Sequence, residues 1–212
     1  MPSLDTLSAF ILFATLISLS PGPSNLYIMA RSVAQGPRAG YAAAGGMAVG
    51  SFIYVILTVL GISAIFKYSP GAYVGLKLLG AGYLVYLGYQ YFDVSEYQSA
   101  DSPKVTKLGM SKILRQSLVV ELTNPKTALF FLAFLPQFID EQAGNVAIQL
   151  LVLGAVYSLV AFLCDVSVAT AGSKLGTWLA RHPQSVIWQD RFAGVVLIGL
   201  GIYICYETVL AL

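Results

Sequence analysis

The sequence predicts an all-α integral membrane protein: six transmembrane helices forming two inverted three-helix repeats, with helices 1 and 4 broken at proline motifs. Three observations carry this prediction. The 212 residues are 57% hydrophobic and only 10% charged, against about 25% charged in a typical soluble domain. With a mean hydropathy of +0.75, the chain has more apolar surface than a soluble fold of this length can bury, so the bilayer is its natural solvent. The basic residues fall into alternate connections, and polar, proline-bearing interruptions occur at matching places in the two halves.

About 20 apolar residues span a hydrocarbon core roughly 30 Å thick as a helix. The first such segment, Thr6–Ala30, follows an N-terminus with no basic leader and no small-residue cleavage site, so it reads as a membrane helix and not as a signal peptide. Tyr41–Phe66 and Ala72–Phe92 complete the first half, residues 1–92. Residues 93–112 carry Asp93, Glu96, Asp101, Lys104, Lys107 and Lys112 among serines and a proline, the composition of a solvated linker. The second half, residues 113–212, repeats the pattern with Ile113–Leu135, Val146–Ala171 and Phe192–Leu212. Tyrosines near the ends of the third and sixth segments suit interfacial anchors.

Basic residues in the loops orient the chain. The first, third and fifth connections hold Arg31 and Arg38, then Lys104, Lys107, Lys112 and Arg115, then Lys174, Arg181 and Arg191. The second and fourth hold only Lys67 and Lys77, with acidic Asp140 and Glu141. The positive-inside rule puts the odd connections in the cytoplasm and both termini outside. Three helices enter and leave on opposite sides, so the second half is expected to be inverted relative to the first. In that architecture two broken helices meet near the midplane and form the substrate site.

The first break is Ser20-Pro21-Gly22-Pro23-Ser24-Asn25. Proline has no N–H and clashes with the carbonyl four residues earlier, so Pro21 and Pro23 deprive the carbonyls of Ile17 and Leu19 of helical partners. Gly22 adds conformational freedom, while Ser20, Ser24 and Asn25 bring polar groups to the same place. A plain proline kink is the alternative. The second break is Thr123-Asn124-Pro125-Lys126. A lysine at this depth costs about 3 kcal/mol even on insertion scales, so it needs a partner, a watery cavity, or a route to an interface by snorkelling. It is suited to a substrate carboxylate. Two acids are candidate proton carriers, because an ionised carboxylate in the bilayer is costly unless paired. Asp165 lies well inside the fifth segment, with a static hydrogen bond across helices as its alternative role. Glu121 lies four residues before Pro125, with pairing to Arg115 near the cytoplasmic end as its alternative.

Other chemistry is not signalled. No phosphate-binding G-x-x-x-x-G-K-[ST] motif occurs. One histidine, His182, and two cysteines in apolar runs, Cys164 and Cys205, argue against a metal site, a disulfide framework or a cofactor. A net charge of +2 gives no footprint for nucleic acid. Small-xxx-small pairs, Gly46/Gly50, Gly71/Gly75 and Gly172/Gly176, suit close helix packing within the bundle, with a homodimer contact as the alternative.

Ser20-Pro21-Gly22-Pro23 with Asn25, the stretch from Ser32 to Gly40, Leu78 to Leu84, and Leu122-Thr123-Asn124-Pro125-Lys126 followed by Leu135-Pro136-Gln137-Phe138 resemble the lysine-exporter (LysE) superfamily, in particular its RhtB-type homoserine, threonine and leucine efflux branch. The resemblance covers nearly the whole chain. In that family Asn or Asp often follows P-G-P, where this chain has Ser24. The resemblance implies a multi-pass bacterial inner-membrane protein that exports amino acids or close derivatives, driven by the proton gradient. Export of a cation or toxic metabolite is a second reading, which the lysine in the break disfavours. A membrane scaffold or enzyme subunit is a third, and it lacks a catalytic constellation. The expected substrate-binding residues are Pro21, Gly22, Pro23, Ser24, Asn25, Asn124, Pro125 and Lys126.

Overall fold

The computed structural model describes residues 4–20, 22–90, 92, 107–140, 142–181 and 183–210, and every regular element among them is helical. In order, they are α1 (Leu4–Leu19), α2 (Pro23–Gln35), α3 (Pro37–Tyr68), α4 (Pro70–Gln90), α5 (Met110–Leu122), α6 (Pro125–Leu129), α7 (Val146–Arg181) and α8 (Pro183–Leu210). A π-helical turn, Phe130–Phe134, and a 3-10 turn, Leu135–Phe138, continue α6.

The punctuation is local chemistry. Prolines open α2, α3, α4, α6 and α8, at positions where a missing N–H costs a helix nothing. Gly36 separates α2 from α3 with φ 85° and ψ 173°, a conformation confined almost entirely to glycine. Gly144, at φ 115°, precedes α7. There Asn145 Oδ1 accepts from the Ala147 and Ile148 amides and caps the helix. Buried Gln149 reaches back, donating to the Asp140 carbonyl at 2.8 Å and accepting from its amide at 3.0 Å, which ties the preceding loop to α7.

The expected first and fourth segments each split into two helices. The α1–α2 pair bends by 57°, and α5 with its continuation through Phe138 bends by 50°. Both bends fall at the proline motifs. The fifth segment runs ten residues beyond its expected end at Ala171, to Arg181, because no proline interrupts it before Pro183. The sixth begins at Pro183, before the expected Phe192. Lys77, counted with the second connection, lies inside α4 with its ammonium 4.9 Å from the Tyr73 ring centroid. By length and composition, α3 and α7 are long and apolar enough to cross a membrane, and each bent pair taken as one span raises the number to four among the described residues. The expected linker at 93–112 is described only from residue 107.

Two apolar clusters hold the bundle. One joins Phe10 and Ala14 of α1, Val55 and Ile62 of α3, Phe130, Phe131 and Phe134, and Leu150, Leu153 and Tyr157 of α7. The other joins Ile28 of α2, Ala39, Ala43 and Met47 of α3, Ile113 of α5, and Ala169 of α7. Helix α3 runs antiparallel to α7: Tyr41 meets Thr170 and Ser51 meets Ser158. It runs parallel to α5, with Gly46 against Ser117 and Gly50 against Glu121, so the Gly46/Gly50 pair serves packing within the bundle. Helices α4 and α8 form an antiparallel pair in which Gly88 abuts Gly194 and Gly201 abuts Ala81. Gly80 of α4 packs closely against Ala133 of the π-helical turn. Outward, Phe52, Leu57 and Leu60 of α3, Leu159 and Leu163 of α7, and Phe192 and Tyr203 of α8 are exposed, an apolar surface suited to lipid.

Candidate functional site

Between the two apolar clusters lies a polar layer. Along each long helix the order is the same: apolar cluster, buried polar residue, apolar cluster. Ser51 separates Met47 from Val55 on α3, and Asp165 separates Tyr157 from Ala169 on α7. Ser18, Ser20 and Ser24 occupy this layer at the first break, and Glu121, Asn124 and Thr127 at the second. All are buried, in a protein whose surface is apolar.

The breaks face each other. Lys126 Nζ donates to the carbonyls of Ile17 at 3.0 Å and Ser20 at 2.8 Å, and to Ser20 Oγ at 3.3 Å. Ile17 is one of the two carbonyls expected to lose its helical partner. Its donors are an ammonium from the other half of the chain, the Ser20 hydroxyl at 2.9 Å and the Ser20 amide at 3.3 Å. The positive charge sits at the C-terminus of α1, where the helix dipole favours it. Asn25 Nδ2 adds donors to the carbonyls of Ser18 at 2.8 Å and Ser20 at 2.9 Å. Gly22 makes room: a Cβ there would lie 3.2 Å from Lys126 Nζ and 3.3 Å from its Cε. Its φ is −174°, so space and not backbone conformation calls for glycine.

At the second break Asn124 Oδ1 accepts the Lys126 amide at 3.0 Å and caps α6. Its Nδ2 donates to Ser24 Oγ at 2.8 Å, and Ser24 passes its own proton to Glu121 Oε2 at 2.6 Å. Thr127 donates to Glu121 Oε1 at 3.0 Å. Glu121 is therefore held inside the bundle, 5% exposed, by α2 and α6, and not at the cytoplasmic end beside Arg115. Gly50 permits this, since a Cβ there would lie 2.9 Å from both Cβ and Cγ of Glu121. Tyr54 donates to the Leu122 carbonyl at 2.7 Å, satisfying a group the break exposes.

Pro23 and Pro125 each open the helix that follows their break. Pro21 lies outside the described residues. Asp165 belongs to the same layer, and the charges acting on it are those of Glu121 and Lys126. Sequence reading passed over Thr127, Tyr54, Tyr157 and Ser18, and read Gly50 as a packing glycine only. A polar residue at a position buried in an otherwise apolar helix was the available signal for Thr127 and Ser18. The two tyrosines resemble ordinary core residues.

Two further assemblies flank the layer. On one side an aromatic cluster closes over it: Phe130 stacks on Tyr157 at 3.7 Å between centroids, and Phe10 meets Phe138 edge-on at 5.1 Å. On the other side α2 is latched to α5. Tyr27 hydroxyl and Arg31 Nη2 both donate to Gln116 Oε1, at 3.0 and 3.2 Å. One turn on, Gln35 exchanges a pair of hydrogen bonds with the Leu108 backbone at 2.9 and 3.0 Å.

A hydrogen-bonded polar layer thus joins two facing helix breaks inside an apolar bundle. A family model, the LysE type translocator, matches residues 15–208. The chain belongs to the LysE family. It is a multi-pass transmembrane translocator, not an enzyme. An uncharacterized membrane protein of Pseudomonas aeruginosa is 29% identical over 204 residues, covering 94% of each chain. A leucine efflux protein of Salmonella typhimurium is 31% identical over 190 residues, covering 90% of each. A leucine efflux protein of Klebsiella pneumoniae is 27% identical over the same length, again covering 90% of each. No solved structure matches the chain. The resemblance to this family, expected to cover nearly the whole chain, is met over residues 15–208.

Proposed function

We propose that this protein exports amino acids, of the apolar class that includes leucine, across the bacterial inner membrane by proton-coupled alternating access around the two helix breaks. The observation that carries the reading is the contact between the breaks: Lys126 of the second caps the broken end of α1, and Ser24 of the first holds Glu121. A zwitterionic substrate presents one anionic and one cationic end. The polar layer supplies Lys126, Asn124 and Asn25 as donors, and the carboxyls of Glu121 and Asp165 as acids. Those two acids are the groups able to carry the proton. The names of the enteric relatives support an apolar amino-acid cargo.

Helix directions support six crossings in two inverted halves, residues 1–92 and 113–212, joined by 93–112. Six successive spans require α3 parallel to α5, and α3 and α4 antiparallel to α7 and α8 respectively. Exchange of the halves maps the α3–α5 contact onto α7–α1, a pair that also packs together. The latch of Tyr27, Arg31 and Gln35 and the aromatic cluster around Phe130 are the two closures that open in turn.

The test is transport of radiolabelled amino acids by the full-length protein in proteoliposomes, with and without an imposed pH gradient. Leucine is expected to move, faster with the gradient, and Asn124→Ala and Lys126→Ala are expected to lose most of that flux. Wild-type rates in both variants, correctly inserted, would remove the breaks from the site.

A further inference from the structure

The Lys126 ammonium is held the way a ligand would be held. Three of its acceptors stand at the broken end of α1: the Ile17 carbonyl at 3.0 Å, the Ser20 carbonyl at 2.8 Å and Ser20 Oγ at 3.3 Å. All three are neutral oxygens, gathered at the negative end of the helix dipole. Asn25 Nδ2 braces the same end through the carbonyls of Ser18 and Ser20, so the acceptors stay in place whichever cation they receive.

Nothing in this cradle is particular to lysine. A primary ammonium has three donors and one positive charge, and the α-ammonium of an amino acid is the same group. Exchange of one for the other leaves the charge at the α1 terminus unchanged, so the helix end stays capped. The place is also within reach. Ile17, Gly22, Asn25 and Lys126 are each half-buried around buried Ser20, whereas Ser24, Glu121, Asn124 and Thr127 of the neighbouring lock are all buried. Lys126 hangs on a flexible four-carbon stem. Gly22 puts no side chain beside it, where a Cβ would lie 3.2, 3.3 and 3.8 Å from Nζ, Cε and Cδ.

We propose that the Ile17 and Ser20 carbonyls with Ser20 Oγ form the subsite for the substrate α-ammonium, and that Lys126 fills it as a tethered stand-in when no substrate is bound. The assignment rests on the transport reading above and deepens it. The arriving ammonium takes the acceptors, and the displaced Lys126 ammonium pairs with the substrate carboxylate. A simple amine brings no anion for the displaced lysine, which is costly at this depth. A simple carboxylate that draws the lysine away leaves the α1 carbonyls without their donor. Only a molecule carrying both groups completes the exchange.

The experiment is equilibrium binding to the purified full-length protein in nanodiscs, with leucine and its two halves. Isoamylamine lacks the carboxylate, and isocaproate lacks the ammonium. Wild-type protein is expected to bind leucine about tenfold or more tightly than either. In Lys126→Met the cradle has no resident, so isoamylamine is expected to bind about tenfold or more tightly than to wild type, while leucine, deprived of its carboxylate partner, weakens. A lysine that only caps α1 would give loss for both. Wild-type protein carries the test alone if Lys126→Met fails to insert. There methylammonium, by filling the cradle and releasing Lys126, is expected to tighten isocaproate binding about fivefold or more, and tetramethylammonium, which has no N–H to donate, is expected to leave it unchanged. Isoamylamine that gains nothing in inserted Lys126→Met, or isocaproate binding that methylammonium does not tighten beyond tetramethylammonium, overturns the subsite while leaving transport standing. A wild-type protein that binds no amino acid overturns both.

Discussion

Lys126 Nζ lies 2.8 Å from the carbonyl oxygen of Ser20, across 106 residues of sequence. The contact joins the first helical turn after one break to the last residue before the other. It makes the two interruptions a single object: the helix end that prolines strip of donors in the first half receives a charged donor from the second. Such an arrangement satisfies backbone groups that lipid cannot, and it can be undone by anything that competes for the ammonium.

Removing that ammonium should therefore destabilise the fold as well as the site. Lys126→Met leaves the Ile17 and Ser20 carbonyls short of a donor and the α1 terminus short of a charge, and should cost about 2 kcal/mol or more. Lys126→Arg keeps the charge, but its planar fork is bulkier beside Gly22, where even a Cβ would lie 3.2 Å from Lys126 Nζ, so partial recovery is expected. Thermal unfolding in detergent measures both. Wild-type stability in Lys126→Met would show that α1 needs no cap.

Gly50 allows Glu121 to lie flat against α3. Gly50→Ala puts a methyl 2.9 Å from Glu121 Cβ and Cγ. Backbone on both helices resists the shift, so overpacking of about 1–3 kcal/mol is expected. The carboxyl should also move off Ser24 and Thr127, so transport should fall further than stability alone explains. Comparing flux per folded molecule with the unfolding midpoint separates the two effects. A variant with normal flux would mean that Glu121 tolerates displacement.

Much of this could be read in the sequence, and the reason is physical. A bilayer penalises unsatisfied backbone so heavily that Pro21-Gly22-Pro23 and Asn124-Pro125-Lys126 stand out without any structure. The same rule pointed to the Ile17 carbonyl as an orphan. What satisfies it was not legible, because Lys126 arrives from 109 residues away and sequence spacing carries no information about partners at that range. Asn25 was legible as a polar residue at the break, but not that its amide turns back onto Ser18 and Ser20. The π-helical turn at Phe130–Phe134 leaves no mark in a run of aromatic residues that would suit an ordinary helix equally well.

Two contacts of the latch between α2 and α5 share one acceptor. Gln116 Oε1 takes hydrogen bonds from both Tyr27 and Arg31, so Gln116→Ala releases two contacts at once. The exposed end of the layer should open more often. Cys164, buried beside Asp165, is a native reporter. In a Cys205→Ala background, Gln116→Ala should raise the rate of maleimide labelling at Cys164 by about five- to thirtyfold, in line with the loss of about 1–2 kcal/mol of closing contacts. Unchanged labelling would mean that the latch does not control access.

Glu121→Gln tests the chemistry of the lock. Asn124 Nδ2 donates to Ser24 Oγ, so the Ser24 proton is committed to Glu121 Oε2, and Thr127 commits its own to Oε1. Both positions accept in the native arrangement. A glutamine has one acceptor oxygen and one amide nitrogen that only donates, so with its oxygen toward Ser24 the contact to Thr127 survives only if that hydroxyl reverses to accept. Stability should drop by about 1–3 kcal/mol. Glutamine also cannot gain or lose a proton. If Glu121 carries the coupling proton, the variant should still bind leucine near wild-type affinity yet show no acceleration by an imposed pH gradient in proteoliposomes. Gradient-driven leucine accumulation that survives in Glu121→Gln would take the proton away from Glu121 and leave it with a structural role between the breaks.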